Sequence, residues 1–320
     1  FTIMDVGGQA VIEGVMMRGK GGISTAVRRL DGSITVKSEK FISYSKRYKI
    51  LSYPILRGAV ALVESLVVGM KTLSYSADIA IEDEEKKEAE KNGKKYKKKS
   101  KDEESIWAKV IPILLAFVVG IAIFMALPYY LTGHIPVTKQ TNPVVFNLIA
   151  GVIRIFFFLI YVYSISFLDD VKRLFEYHGA EHKTIACYEN KKDLTPVNAQ
   201  KYSSLHPRCG TSFLLIAAIS CILVFAVIDA IIGLYWARYI QPAWYLRLLV
   251  HLPLIPFVSG ISYEFLKFTG KYKDNKFVKI LALPGMGLQK ITTKNPTKQQ
   301  LEVAIASLNA VLKMDKKSTK

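Results

Sequence analysis

Four apolar runs, at residues 106–130, 143–168, 212–234 and 245–266, decide the class of this chain. The hydrocarbon core of a bilayer is about 30 Å thick and takes about 20 mostly apolar residues as one helix, a length that each run meets. Trp107, Tyr129, Tyr130, Trp236, Trp244 and Tyr245 lie at the ends of these runs, where amphipathic rings favour the membrane interface. The expected fold class is an α-helical polytopic membrane protein with four transmembrane helices, a short interfacial or re-entrant helix and a small cytoplasmic β-rich N-terminal unit.

Composition agrees. Hydrophobic residues make up 51% of the 320, while 44 Lys and Arg against 26 Asp and Glu give a net charge of +18. An ordinary cytosolic chain does not pair such apolar runs with such basicity. The basic residues flank the apolar runs and lack interleaved aromatic platforms, so anionic lipid headgroups are the expected partner and nucleic acid is not. Cys187, Cys209 and Cys221 are too few for a disulfide framework and fit a reduced compartment. No apolar core before residue 50 is long enough for a secretory signal.

A fifth apolar stretch, residues 58–70, is short and contains Glu64, with Arg57 just before it. As a fifth span it would leave the basic residues from Arg18 to Lys49 outside, against the positive-inside rule. With four spans, the loops at 131–142 and 235–244 hold only Lys139 and Arg238, and the other loops and both termini are cytoplasmic. The domain order is then a β-rich unit over 1–53, an interfacial helix over 54–72 and a charged tether over 82–104. A membrane domain follows over 106–266, with a cytoplasmic loop at 169–211, and a cytoplasmic tail over 267–320. Alternation around Asp31-Gly32 predicts two strands joined by a tight turn over 23–41. The tether holds nine acidic and nine basic residues and reads as disordered or as a solvated helix. Asn295-Pro296 precedes Leu301, Val303, Ala304, Ile305, Leu308, Val311 and Leu312 at helical spacing, hence a terminal amphipathic helix on the N-terminal unit or on the membrane.

The loop at 169–211 carries His178-Gly179-Ala180-Glu181-His182, the spacing H-x-x-E-H. On a helix the two imidazoles and the carboxylate share one side, as in inverted zincins. His206-Pro207-Arg208-Cys209-Gly210 then offers an imidazole and a thiol before the third run, with Pro207 and Gly210 shaping a turn. With four spans, these groups and Glu264 converge on one membrane face. The candidate metal ligands are His178, His182, His206, Cys209 and Glu264, the ion Zn²⁺ or another divalent transition metal, and Glu181 the catalytic base.

Blander readings stand beside these. The histidines suit a solvated interfacial helix, Cys209 a buried small hydrophobe, and Glu264 a pair with Lys267. Cys187 and Cys221 read as structural. Arg154 lies inside the second run as a pathway residue or in an ion pair; Asp229, nearer the outer surface, could snorkel. His134 and His251 fall toward the outer face and stay outside the site. The N-terminal glycines, from Gly7 to Gly19, match neither phosphate-loop nor dinucleotide spacing and read as strand and turn residues.

The run GGQAVIEGVMMRG, with PILRG, EYHGAEHKTIACYE, HPRCGTSFL, SYE and PGMGLQKITT, resembles bacterial membrane proteins grouped as domain of unknown function 1385, over about residues 6–312. That family is described as predicted metal-dependent enzymes, and the resemblance implies a bacterial inner-membrane location. The leading expectation is a metal-dependent, zinc-using hydrolase at the cytoplasmic membrane face, acting on a lipid, lipid-linked or membrane-peptide substrate. The rival is a non-catalytic scaffold or assembly factor with a membrane-protein partner, in which the histidine cluster is structural and Glu64, Arg57 and the lysine-rich tail meet that partner or headgroups.

Overall fold

The structure is a computed structural model and describes residues 6–93, 106–135, 142–206, 209–235, 244–272 and 275–318. Four strands, β1 (Gly7–Val11), β2 (Gly14–Arg18), β3 (Gly22–Arg28) and β4 (Ile34–Lys40), form an antiparallel meander in chain order. The β3–β4 turn lies at Asp31-Gly32, where Gly32 takes a φ of +85° and Asp31 Oδ1 accepts the Ser33 N–H at 2.8 Å. The glycine-rich N-terminal motif supplies β1 and β2, turned at Ile12-Glu13.

Alternate side chains point to opposite faces of a strand, and both faces of this sheet are covered. Val15, Met17 and Ala26 pack with Leu301, Ala304, Leu308 and Val311; Val11, Met16, Ile23 and Val27 pack with Val68 and Ile79. A short turn, α1 (Tyr44–Arg47), leads to α2 (Leu56–Lys91), which covers the second face. The terminal helix therefore packs on the N-terminal unit.

α2 corrects the expectation of a short helix over 54–72. No proline interrupts residues 56–91, and the charged half is held in place: Arg29 pairs with Asp83 at 2.5 Å and Glu82 at 3.1 Å, while Lys86 reaches Glu82 one turn away at 2.5 Å. The tether expected over 82–104 is thus helix as far as Lys91; its residues 94–104 lie outside the described residues, as do Lys139, Trp236 and Arg238.

The apolar runs are helices: α3 (Ile106–Ile121) continuing through a π-helical turn into α4 (Leu127–Gly133), then α5 (Pro143–Ile165), α8 (Gly210–Tyr235) and α9 (Trp244–Lys271), with α6 (Asp169–Glu189) and α7 (Pro196–Gln200) between α5 and α8. Among the described residues, four helices are long and apolar enough to cross a membrane. Asp229 in α8 does not snorkel. It is 1% exposed, accepting from Asn147 Nδ2 of α5 at 2.8 Å and meeting His251 Nε2 of α9 at 2.8 Å. A carboxylate among apolar helices is tolerated when donors surround it.

The tail adds α10 (Lys276–Thr292) before α11 (Lys298–Ser318). α10 runs through Pro284 in a tail for which the sequence had suggested only the terminal amphipathic helix. Asn275 caps it, its Oδ1 accepting from Phe277 N at 2.9 Å, and Leu288 packs with Leu215 of α8 and Val162 of α5. Burial of that face outweighs the local propensity of one proline-glycine pair.

Candidate metal centre

Three residues separate the end of α5 from α6, whose Asp169 and Asp170 lie in the first turn, where the helix dipole favours acids. About two turns further on come His178, Glu181 and His182. Between them Gly179 presses on the chain after α10: a Cβ there would stand 2.0 Å from the Lys294 carbonyl oxygen. Lys294 N–H donates to Phe175 C=O at 2.9 Å, locking this backbone contact. The contact brings the end of α10 to His178.

Each imidazole is oriented by a main-chain carbonyl. His178 Nδ1 meets Thr292 C=O at 2.9 Å, and His182 Nδ1 meets Ser204 C=O. A proton on Nδ1 in each ring leaves the Nε2 lone pair free, the arrangement a metal-ligating histidine needs. The rings lie 4.5 Å apart by centroid, and His178 Nε2 is 3.2 Å from Cys209 Sγ. One ligand atom from each of His178, His182 and Cys209 lies within 4.8 Å of the others. Two imidazole nitrogens and a thiol sulfur suit Zn²⁺.

Cys209 is 4% exposed at the start of α8, where its Sγ accepts the Thr211 N–H at 3.4 Å and lies 3.0 Å from Thr211 Oγ1. Pro207 and Arg208 lie outside the described residues. The loop that orients His182 is held by Lys183, a buried lysine whose Nζ donates to Gln200 C=O at 2.9 Å and Tyr202 C=O at 2.7 Å.

Glu181 faces the sheet. Its carboxylate is buried against β1, accepts the Gly8 N–H, and would stand 2.8 Å at Cγ from a Cβ on Gly8. Burial raises its pKa, against the opposing pull of His178, His206 and that N–H. Burial likewise lowers the pKa of His182, favouring the neutral ring.

The remaining candidates stand apart. His206 lies next to the cluster, its ring 5.8 Å from that of His182, with Nε2 3.5 Å from Glu189 Oε2. Glu264 is not with them: both carboxylate oxygens are taken by Arg57, at 2.5 Å from Nε to Oε1 and through Nη2 to Oε2. The guanidinium at the start of α2 matches a carboxylate bidentately, which a lysine such as Lys267 cannot do. Glu64 is also bound internally, by Arg18, Ser43 and the Tyr44 N–H. Cys187 sits in the core under the sheet and Cys221 in α8; both are free thiols.

Sequence reasoning missed Thr292, Ser204, Lys183 and Gln289. The first two act through main-chain carbonyls, which leave no mark in side-chain identity. Gln289, wholly buried and bonded to His206 and Ser212, stands in the PGMGLQK run, where a lone amide among apolar residues was the available signal.

The comparisons with known proteins agree with this architecture. The model of a protein family of unknown function, DUF1385, matches residues 53–314. The uncharacterized protein YqhQ of Bacillus subtilis (strain 168) is 35% identical over 316 residues, covering 97% of this chain and 92% of the relative. No solved structure matches. With most of its length matched by both, this chain belongs to the DUF1385 family.

Proposed function

We propose that this protein is a metal-dependent hydrolase of a bacterial inner membrane, multi-pass, with both termini and the metal centre on the cytoplasmic side. Its ligands are His178, His182 and Cys209. The single observation behind this reading is the pair of imidazoles whose Nδ1 atoms are held by Thr292 and Ser204 carbonyls while both rings meet one thiol. Zn²⁺ held there would polarise a substrate carbonyl or phosphoryl oxygen and acidify water.

Among the described residues three ligands, and not four, meet there, which leaves room for chemistry. Glu181, one residue before His182 on α6, is the assigned base, a role that requires its carboxylate to leave the Gly8 N–H and turn to the centre. The substrate belongs to the bilayer, a lipid, a lipid-linked molecule or a membrane peptide, because Cys209 immediately precedes one apolar helix and α6 immediately follows another. Orientation follows the basic residues, which gather on the side of α6 and the sheet; anionic headgroups are the matching surface.

The contact between Glu181 and Gly8 favours a second reading, in which the carboxylate ties the sheet to α6 and the metal only fastens a scaffold for a membrane-protein partner. Metal content of the purified protein, measured by mass spectrometry, tests the centre. About one zinc per chain is expected, and undiminished content in both His178→Ala and His182→Ala would refute it. Glu181→Gln separates the readings: the enzyme loses turnover of membrane-lipid or peptide substrates while keeping its metal, whereas the scaffold loses fold stability.

A further inference from the structure

We propose that the groove between α2 and residues 41–51 holds one acyl chain of an anionic phospholipid, with the phosphate met by Lys46, Arg47 and Lys49. The proposal rests on the reading that α9 crosses the bilayer. The groove has a volume of about 460 Å³ and is lined by Phe41, Leu51, Val60, Val63, Val67 and Pro256, with Tyr44 at its side.

Its chemistry is that of a hydrocarbon slot. The carboxylate on its wall, Glu64, is 5% exposed and already compensated by Arg18 at 2.7 Å, Ser43 at 2.9 Å and the Tyr44 N–H at 2.7 Å. No uncompensated charge faces the slot from that residue, so an apolar chain meets no desolvation cost there.

Its position matches a leaflet. Pro256 belongs to an apolar helix long enough to span, and α2 starts against the flank of that helix, where Gly58 packs on Gly260. The Arg57–Glu264 pair follows one turn later, about 6 Å along the axis of α9. Pro256 lies about two turns further into α9 than Glu264, so the groove reaches past the polar pair toward the apolar middle of that helix. The surrounding surface repeats the pattern: Ile42, Tyr48, Ile50, Tyr53, Leu66 and Met70 are exposed, as aromatic and apolar groups at a membrane interface are.

Charge complementarity selects the lipid. Lys46, Arg47 and Lys49 are exposed beside Tyr44, and residues 41–57 contain no acidic side chain. Clustered cations beside an apolar slot favour an anionic phosphate over a zwitterionic one.

The test uses the full chain, delipidated in detergent and exchanged into nanodiscs containing phosphatidylglycerol and phosphatidylcholine, then examined by native mass spectrometry. One retained phosphatidylglycerol per chain is expected, preferred severalfold over phosphatidylcholine. Val63→Trp, which fills the groove, should remove it, and the triple substitution Lys46→Ala, Arg47→Ala, Lys49→Ala should keep a lipid but lose the headgroup preference. Circular dichroism melts confirm that both variants fold; should Val63→Trp not fold, Val60→Phe takes its place. No retained lipid, equal retention of the two lipids, or retention unchanged by the filled groove overturns the proposal. A stoichiometric polypeptide displaced by Val63→Trp would do the same by assigning the groove to a protein. Flotation with vesicles separates the failures: a chain that floats without retaining phosphatidylglycerol sinks the groove alone, and one that does not float sinks the membrane reading as well.

Discussion

Gln289 grips His206 by both of its main-chain polar groups: its amide oxygen accepts the His206 N–H at 2.8 Å and its amide nitrogen donates to the His206 C=O at 2.9 Å. The same nitrogen reaches Ser212 Oγ at 2.7 Å. Residues 206 and 212 flank Cys209, so one fully buried side chain of α10 fixes the segment that presents the thiol. Gln289→Leu leaves those groups unpaired and frees the segment. Loss of such supporting bonds costs metal affinity by about 10- to 100-fold. Competition with a chromophoric chelator should show that loss of zinc affinity, and unchanged affinity would mean that Cys209 is placed by other contacts.

The four long apolar helices and the Asp31-Gly32 turn were legible because each depends on a local pattern, apolar length or turn chemistry. The meeting of His178 with His182 was legible for the same reason, since residues four apart share a side of a helix, but that Glu181 turns to Gly8 of the sheet was not. Partners across the chain were not. Glu264 and Arg57 are 207 residues apart, and nothing near either one states which cation or metal it meets. Asp229 read alone is a costly charge; only the packing of α5, α8 and α9 supplies Asn147 and His251. α10 was hidden because its stability comes from the face it buries against α5 and α8, a contact set by packing across the chain.

Glu264 should be indifferent to metal. Its carboxylate is about a quarter exposed and paired with Arg57, so Glu264→Ala is expected to leave zinc stoichiometry unchanged. Stability should fall modestly, by about 1 kcal/mol or less for a partly solvated pair. Exchanging the charges, Arg57→Glu with Glu264→Arg, should recover part of what either single substitution loses. Metal loss in Glu264→Ala would return this residue to the ligand set.

Asp229 and His251 should be energetically coupled. Removing the carboxylate by Asp229→Ala strands His251 Nε2 and Asn147 Nδ2 between apolar helices. Interhelical polar contacts of this kind contribute about 0.6 kcal/mol on average and up to about 1.7 kcal/mol. Because two helices depend on one carboxylate, a coupling near 1 kcal/mol is expected from a double-mutant cycle with His251→Phe, read by unfolding in mixed micelles. Strict additivity of the two substitutions would show that the contact contributes nothing.

Leu308 tests whether the terminal helix is integral to the unit built on the N-terminal sheet. It is 0% exposed, on the face of α11 that meets Val15, Met17 and Ala26. Leu308→Ala deletes buried methyl groups and leaves a cavity, at a cost of about 2–5 kcal/mol. Glu302 is on the same helix but pairs at the surface with Arg28, 48% exposed, so Glu302→Ala should cost about 1 kcal/mol or less. Hydrogen exchange of the β2 and β3 amides gives the readout. Faster exchange in Leu308→Ala, with little change in Glu302→Ala, is expected, because the sheet opens when α11 detaches. The centre should follow, since β1 belongs to that sheet and Gly8 holds Glu181. Protected strands in Leu308→Ala would mean that α2 alone stabilises the sheet and that α11 rests on it without supporting it.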